Sequence, residues 1–219
     1  MQGNAVLSLD TEHDISIEHP ILFNRDMIRA ILEGRKTQTR RIIKNLPEHV
    51  EVISHVEGND APGVWNIISS DQPRYTIKCP FGKPGDRLWA RENVWIAPHG
   101  FANKTDSDIV DDQGRPRTIG YSATMDLDSV RFAKEYGVKQ SPSIHMPRWA
   151  CRITLEIIDI RVERLQDITE TDAIAEGVSR HPWSQNHWHH YVTNDMQVGC
   201  MSAKQSYESL WQKINGAKS

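Results

Sequence analysis

Five cationic side chains occur within ten residues, in a segment that contains no acidic residue: Arg35, Lys36, Arg40, Arg41 and Lys44. Guanidinium groups match the geometry of planar oxyanions, and a lysine ammonium acts as a point charge. The whole chain carries a formal net charge of −3, so this basic run is a local excess of positive charge. It predicts a site for phosphate or carboxylate groups, with a solvated basic turn as the open alternative.

Two further sets of side chains could carry chemistry. Trp89 and Arg91 are predicted to share a strand, where an aromatic ring beside an arginine can stack on a nucleic-acid base. A large aromatic on a strand more often covers core, and we favour that interpretation for Trp89 and Trp95. Histidine pairs without an acidic partner or a helical period are poor predictors of a metal site, so we predict no metal and no cofactor. The histidines concerned are His181, His187, His189 and His190.

The basic run follows a predicted helix. Asn24 is a suitable N-cap, the apolar residues between 27 and 32 fall on one stripe, and Gly34 can adopt the left-handed conformation that ends a helix. The β-branched residues 42–43 indicate that a strand begins there. Residues 35–41 are therefore expected to connect a helix to a strand.

Period-two patterns predict strands over residues 64–68, 75–78, 118–123 and 153–162, the last with a bulge near Ile157 and Ile158. A turn at residues 82–86 should use the Asp86 side chain as an acceptor, and Leu88, Ala90 and Val94 should face inward after it. An amphipathic stretch covers residues 129–136, and a helix over 202–214 should present Tyr207, Leu210, Trp211 and Ile214 on one face.

A short helix, Glu170–Glu176, is predicted from the Thr169 capping box and ends before Gly177. Glu176 then lies at the negative end of the helix dipole, which disfavours an ionised carboxylate and is a hint of function.

Composition sets limits on the class of protein. The chain has 219 residues, of which 38% are hydrophobic and 25% charged, as in an ordinary globular protein. Three widely spaced cysteines favour neither a disulfide framework nor a cysteine-based zinc site, and no segment approaches the roughly 20 apolar residues of a membrane span. We expect a cytoplasmic protein with no membrane partner.

Five stretches carry a resemblance to a known family: ILEGRKTQTRRI, KPGDRLWARENVW, PSIHMPRWACRITLEI, RLQDITETDAIAEGV and LWQKING. Through them the chain resembles ASCH-domain proteins of the PUA-like superfamily, particularly the longer members of phages and prophages. The resemblance implies a mainly β fold with flanking helices (α+β), built as a small PUA-like β-barrel with rim helices and long inserted loops. It also implies a cleft for RNA or a nucleoside.

Small bacterial relatives remove the acyl group from N4-acetylcytidine, and their catalytic lysine, threonine and glutamate match Lys36, Thr39 and Glu176. The resemblance therefore implies Thr39 as nucleophile, Lys36 as base and Glu176 as proton shuttle. Lys36 must then have a lowered pKa, which we expect from repulsion by Arg35, Arg40 and Arg41, with partial burial adding to it. Arg40 or backbone N–H groups near Gly34 are the expected oxyanion donors.

This chain is longer than those small enzymes. We predict an N-terminal extension over residues 1–19 and a single domain over 20–219, with insertions near 45–75, 98–145 and 179–200 that could cover or repurpose the cleft.

Three functions remain open. The first is a hydrolase acting on an N4-acylated cytidine or a related nucleobase. The second is a non-catalytic RNA-binding module, in which the basic run contacts phosphates and Trp89 or Arg91 stacks on a base. The third is a metal-independent ribonuclease, in which Lys36 and the arginines stabilise phosphorane charge.

Overall fold

The computed structural model of the chain describes residues 17–44, 46, 50–55, 63–69, 75–98, 109–193 and 199–216. The helices are α1 (Arg25–Leu32), α2 (Leu127–Glu135), α3 (Glu170–Ala175) and α4 (Ala203–Asn215), with 3-10 turns at Ser143–His145, Arg148–Ala150 and Leu165–Asp167. The strands are β1 (Glu18–Leu22), β2 (Val50–His55), β3 (Val64–Ser69), β4 (Tyr75–Lys78), β5 (Arg87–Arg91), β6 (Val94–Pro98), β7 (Ile109–Val110), β8 (Pro116–Tyr121), β9 (Gln140–Ser141), β10 (Thr154–Glu156), β11 (Arg180–His181), β12 (Ser184–His189) and β13 (Gly199–Cys200).

The described strands form four small sheets. Their orders are β1-β5-β10, β2-β3-β4, β7-β8-β6-β9 and β11-β12-β13. The fold is therefore a mixed α+β architecture made mainly of strands, which confirms the coarse prediction. No closed barrel is formed by the strands that the structure describes. None of the described helices is long and apolar enough to cross a membrane.

Helix α1 begins and ends where the sequence predicts. The Asn24 side chain accepts a hydrogen bond from the Met27 N–H at 2.9 Å, and Gly34 adopts a positive φ of 70° just after the helix. Ile28 is fully buried, whereas Leu32 remains 48% exposed. The predicted cap and stop are confirmed, and the buried stripe is narrower than predicted.

Residues 42–43, which lie within the basic run, do not begin the predicted strand. Residues 42–43 have no strand pairing among the described residues, and Ile42 is 50% exposed. The N–H groups of Thr37 and Gln38 both donate to the Ala175 carbonyl, at 2.8 and 2.9 Å. Residues 37–38 therefore contact the end of α3, and residues 42–43 adopt no strand despite their β-branched side chains.

Most other predicted elements are confirmed, with different bounds. Strands β3 and β4 form the predicted hairpin, and β2 adds a third strand that the sequence did not indicate. Strand β8 (Pro116–Tyr121) overlaps the strand predicted over residues 118–123, and helix α2 (Leu127–Glu135) overlaps the amphipathic stretch predicted over residues 129–136.

The predicted bulged strand over residues 153–162 is wrong. Strand β10 covers only Thr154–Glu156, after which Ile157 is buried and Ile158 is 78% exposed. The change of apolar phase therefore marks the end of a strand rather than a bulge inside one.

The turn before β5 has the predicted geometry. Asp86 is 2% exposed, and its carboxylate accepts hydrogen bonds from the N–H groups of Lys83 at 2.9 Å and Ile17 at 3.1 Å. Leu88 and Ala90 then enter the core beneath α1. Glu18 and His19, which the sequence assigned to an N-terminal extension, belong to β1 and pair in parallel with β5. The rest of that extension, up to residue 16, lies outside the described residues.

Candidate functional site

Lys36 and Glu176 form the centre of the site. They are 140 positions apart and form an isolated antiparallel bridge. The Lys36 Nζ lies 2.8 Å from Glu176 Oε2, 2.9 Å from the Glu176 carbonyl and 2.7 Å from the Gln38 carbonyl. Only 3% of the Lys36 side chain and 4% of the Glu176 side chain are exposed. Since an ammonium has three N–H donors, each proton of a charged Lys36 meets an acceptor.

Two helix ends bring this pair together. After α1, the N–H groups of Arg35 and Lys36 both donate to the Ala30 carbonyl, so the chain turns sharply at the helix end. Glu176 is the C-cap of α3, and Gly177 follows with φ 89°. A Cβ atom on Gly177 would lie 2.8 Å from the Lys36 Cβ. The close approach of the two turns therefore requires glycine at this position.

The second carboxylate oxygen of Glu176 faces Arg40. Arg40 Nη1 lies 3.2 Å from Glu176 Oε1, while Nη2 lies 3.0 Å from Glu163 and 3.5 Å from Asp172. This guanidinium is therefore surrounded by carboxylates. These contacts allow Arg40 to orient the Glu176 carboxylate. Because three carboxylates already neutralise its charge, Arg40 is a weaker oxyanion donor than the sequence predicts.

Burial is the main influence on Lys36. Loss of solvation holds the pKa of Lys36 below its ordinary value, the charges of Arg41 and Arg40 lower it further, and the Glu176 carboxylate opposes the shift. From the sequence, repulsion by neighbouring cations, Arg35 among them, was expected to be the main cause of the lowered Lys36 pKa. Arg35 instead bonds the Glu33 carboxylate and the Gly177 carbonyl.

Tyr207 of α4 is the aromatic neighbour of this site. It is 4% exposed, and burial raises the pKa of its phenol, with the Glu176 charge acting in the same direction. The hydroxyl therefore stays protonated beside Glu176, Arg40 and Arg41, whose charges all act on it.

Thr39 is not coupled to Lys36 in this structure. It is half-buried, and its hydroxyl forms no hydrogen bond with any residue that the structure describes. The Lys36 amine contacts the carbonyl of Gln38, the residue before Thr39. The Lys36 amine therefore contacts the Glu176 carboxylate and the backbone carbonyl of Gln38. It does not contact the Thr39 hydroxyl.

Most of the basic run is engaged within the chain. Beyond Arg35, Lys36 and Arg40, the Arg41 Nη2 donates to the Leu22 carbonyl at 2.7 Å, and its guanidinium lies over the Phe23 ring. Lys44 is exposed.

The expected oxyanion donors near Gly34 are occupied as well. The Gly34 N–H donates to the Ile31 carbonyl, and the next two N–H groups donate to Ala30. The end of α1 uses these donors for its own carbonyls, which leaves Arg40 as the other oxyanion donor expected from the sequence.

Trp95 and Trp89 have different surroundings. Trp95 is 7% exposed and its indole N–H donates to Ser122, which confirms a core position. Trp89 is half-buried, with the guanidinium carbons of Arg91 and Arg148 at 5.3 and 5.8 Å from its ring centre. Arg91 also donates to the Ile144 carbonyl. Trp89 is thus an aromatic flanked by arginines on the outer face of β5.

The histidine-rich segment forms strands β11 and β12. His187 Nδ1 lies 2.8 Å from the Ser184 hydroxyl, and His190 Nδ1 lies 3.0 Å from the Thr193 hydroxyl. Within the described ranges, no group of three or more His, Cys, Asp or Glu residues could hold a metal ion.

An open cleft of about 300 Å³ lies beside the N-terminal end of α1. Arg41, Arg25, Asn24, Asn93 and Ser143 contribute polar groups to it. Of these residues, only Arg41 was predicted from the sequence as a binding residue. Glu163 and Asp172 were not predicted as partners of Arg40, although the capping box had located Asp172 on α3.

Comparisons with protein-family models, curated proteins and solved structures returned no match.

Proposed function

We propose that this chain is a hydrolase of the ASCH type, which cleaves the amide of an N4-acylated cytidine or a related nucleobase on a PUA-like scaffold. The observation that carries the proposal is the buried contact between Lys36 and Glu176. The five sequence stretches that resemble ASCH domains supply the reaction class.

A buried ion pair is a poor way to stabilise a fold. Removing two charges from water costs several kcal/mol per ion, and apolar replacements of similar volume are often as stable. Groups with perturbed pKa values are concentrated at functional sites. The lowered pKa of Lys36 is the property that a lysine needs to act as a general base.

The reaction starts with one proton moving within the pair. Transfer from the Lys36 ammonium to the Glu176 carboxylate leaves a neutral amine and a carboxylic acid. The amine then accepts the Thr39 hydroxyl proton as the Thr39 oxygen attacks the acyl carbon. Glu176 gives its proton to the N4 nitrogen as the C–N bond breaks, which releases cytidine and leaves an acyl ester on Thr39.

Hydrolysis of that ester restores the starting state. After acylation Lys36 is again an ammonium and Glu176 a carboxylate, so Glu176 removes a proton from the attacking water. The proton returns to the Thr39 oxygen as the acid leaves. Arg40 keeps the Glu176 carboxylate oriented throughout, since it bonds the oxygen that Lys36 does not.

Thr39 must rotate or approach for the first step. The absence of a hydroxyl partner for Thr39 among the described residues favours that freedom, because no hydrogen bond has to break. The Lys36 contact with the Gln38 carbonyl is the one that the amine would exchange for the Thr39 hydroxyl.

The binding-module alternative has less support. A module that binds phosphates through the whole basic run needs free cations, yet Arg35, Lys36 and Arg40 bond groups of the chain itself. Arg41 commits a single nitrogen, to the Leu22 carbonyl. The ring of Trp89, which is flanked by two arginines, favours RNA binding.

The test is release of cytidine from N4-acetylcytidine. Thr39→Ala and Lys36→Met should each lower kcat by about 100-fold or more, and Thr39→Ser should retain part of the activity. Thr37→Ala and Lys78→Met are matched controls, because both side chains belong to exposed residues outside the pair. Wild-type protein that releases no cytidine from any N4-acylcytidine, or full activity in Thr39→Ala, would overturn the proposal.

A further inference from the structure

The cleft beside α1 has an unusual charge for this protein. Two of its lining residues, Arg25 and Arg41, carry guanidinium groups, and none of the described residues that line it carries a carboxylate. The chain has a formal net charge of −3, so a cleft with only positive charge differs from the average surface. Such a cleft favours an anionic ligand.

Both arginines retain donors for a ligand. Arg25 is exposed and forms no ion pair with any described residue. Arg41 commits one nitrogen to the Leu22 carbonyl. A guanidinium has five N–H donors in a fork that matches phosphate oxygens, so four donors of Arg41 remain outside that bond.

Neutral polar groups complete the cleft. The Asn93 carbonyl oxygen accepts a hydrogen bond from the Ser143 N–H at 2.8 Å, which fixes the orientation of the amide. The Asn93 NH₂ group forms no hydrogen bond with a described residue and lies in the lining. The cleft therefore presents further donors besides its two cations.

Arg41 connects this cleft to the buried pair. Its charge contributes to the lowered pKa of Lys36, and the preceding residue, Arg40, bonds Glu176. Arg41 therefore belongs both to the lining of the cleft and to the charges that act on Lys36.

We propose that this cleft binds the phosphate group of the substrate, through Arg25 and Arg41, so that the protein acts on a cytidine nucleotide in preference to the free nucleoside. The base and the reaction rest on the proposed function, whereas the phosphate subsite rests on the cleft itself. The phosphate can belong to a mononucleotide or to the backbone of an oligonucleotide, since both present the same oxygens.

Calorimetric titration of the full chain tests the subsite without catalysis. The ligands are cytidine, cytidine 5′-monophosphate and a short oligocytidylate, with inorganic phosphate as the minimal probe. The nucleotide should bind about tenfold more tightly than cytidine, and Arg25→Ala should remove most of that difference. Arg131→Ala is the matched control, because Arg131 is exposed on α2 and is not a lining residue.

Arg41→Lys tests the second cation while keeping the charge. The ammonium cannot reproduce the guanidinium fork, so the nucleotide should bind more weakly while cytidine binding stays the same. Tighter binding of the oligonucleotide than of the mononucleotide would assign the subsite to an RNA backbone. Equal binding of these two would assign it to a terminal phosphate.

The outcomes separate the two proposals. Equal affinity for cytidine and its monophosphate, or an Arg25→Ala protein that keeps the preference, would overturn the subsite even if N4-acetylcytidine is hydrolysed. A phosphate-dependent affinity that Arg25→Ala removes would support the subsite, even if no N4-acyl group is cleaved and the proposed reaction fails.

Discussion

Lys36 and Glu176 contact each other through both their backbones and their side chains, although 140 positions separate them in the chain. Each residue lies at the end of a helix, Lys36 after α1 and Glu176 at the C-cap of α3. The ion pair therefore lies at the contact between these two helix ends. Changes that alter the pair should affect both stability and any chemistry it performs.

The pair should behave as one energetic unit. Removing one partner of a buried ion pair typically costs about 3–5 kcal/mol, since the remaining charge is left uncompensated. Lys36→Met and Glu176→Gln should therefore each lower the free energy of unfolding substantially. The double variant should lose much less than the sum, and urea denaturation of all four proteins measures this coupling. Strictly additive losses of unfolding free energy would show that the two residues are not coupled. Lys78→Met is the control, because Lys78 is exposed, and it should change the free energy of unfolding by less than about 0.5 kcal/mol.

Gly177 should be indispensable for the approach of the two helix ends. Gly177→Ala would place a Cβ atom 2.8 Å from the Lys36 Cβ and 3.0 Å from the Ala30 Cβ, besides straining a backbone with φ 89°. Gly137→Ala is the matched control, because Gly137 has φ 73° and no atom within 4 Å of the added Cβ. The control should cost about 1–2 kcal/mol, the price of the left-handed conformation alone.

Gly177→Ala should cost clearly more than that control in the same chemical denaturation series, because the Lys36 backbone must move. Equal losses of unfolding free energy for the two alanine variants would mean that the chain avoids the close contact with Lys36 without losing stability.

Local signals in the sequence were sufficient for the helix ends. The Asn24 cap, the Thr169 capping box and the glycines after α1 and α3 depend on neighbours within one turn, so they could be predicted. The contact of Lys36 with Glu176 could be anticipated only through the family resemblance. No local pattern indicates that two helix ends, distant in the chain, share a backbone bridge.

Features decided by tertiary contacts were missed. Residues 42–43 are β-branched, yet the preceding residues dock on Ala175 instead of joining a sheet. Strand β2 was not predicted, because the residues that connect it to its partner β3 are rich in turn formers and indicated a loop. Partners of Arg40 such as Glu163 could not be chosen from the sequence, because ion pairs between distant segments leave no periodic pattern.

Asp172 should make the protein sensitive to acid. Its pKa is lowered to about 2, first by the hydrogen bond from the Thr169 hydroxyl and then by Gln38 and Arg40. Because the folded pKa lies below the value of about 3.9 in an unfolded chain, the stabilisation is complete above that pH and is lost as the pH falls toward 2. Asp172→Asn should therefore be less stable at about pH 7 and should lose less stability than the wild type on acidification.

Urea denaturation between these pH values measures the effect of Asp172. Asp128→Asn is the control, since Asp128 is an exposed acid in the first turn of α2. If the free energy of unfolding falls equally with pH in the wild type and in Asp172→Asn, the lowered pKa of Asp172 does not contribute to stability. The Asp128→Asn variant should show the same pH dependence as the wild type.

Arg40 should not tolerate lysine. Its guanidinium meets carboxylates of three separate residues, Glu163, Asp172 and Glu176, with only 16% of the side chain exposed. A lysine ammonium is a single point charge and cannot span the same fork, so Arg40→Lys should lower the free energy of unfolding by about 1–3 kcal/mol. Arg161→Lys is the matched control, because Arg161 pairs with two of the same carboxylates from a side chain that is 48% exposed, and it should cost less than about 0.5 kcal/mol. Thermal and urea unfolding of both variants measure the difference. If Arg40→Lys is as stable as Arg161→Lys, the geometry of the guanidinium fork adds nothing to the stabilisation that its charge provides.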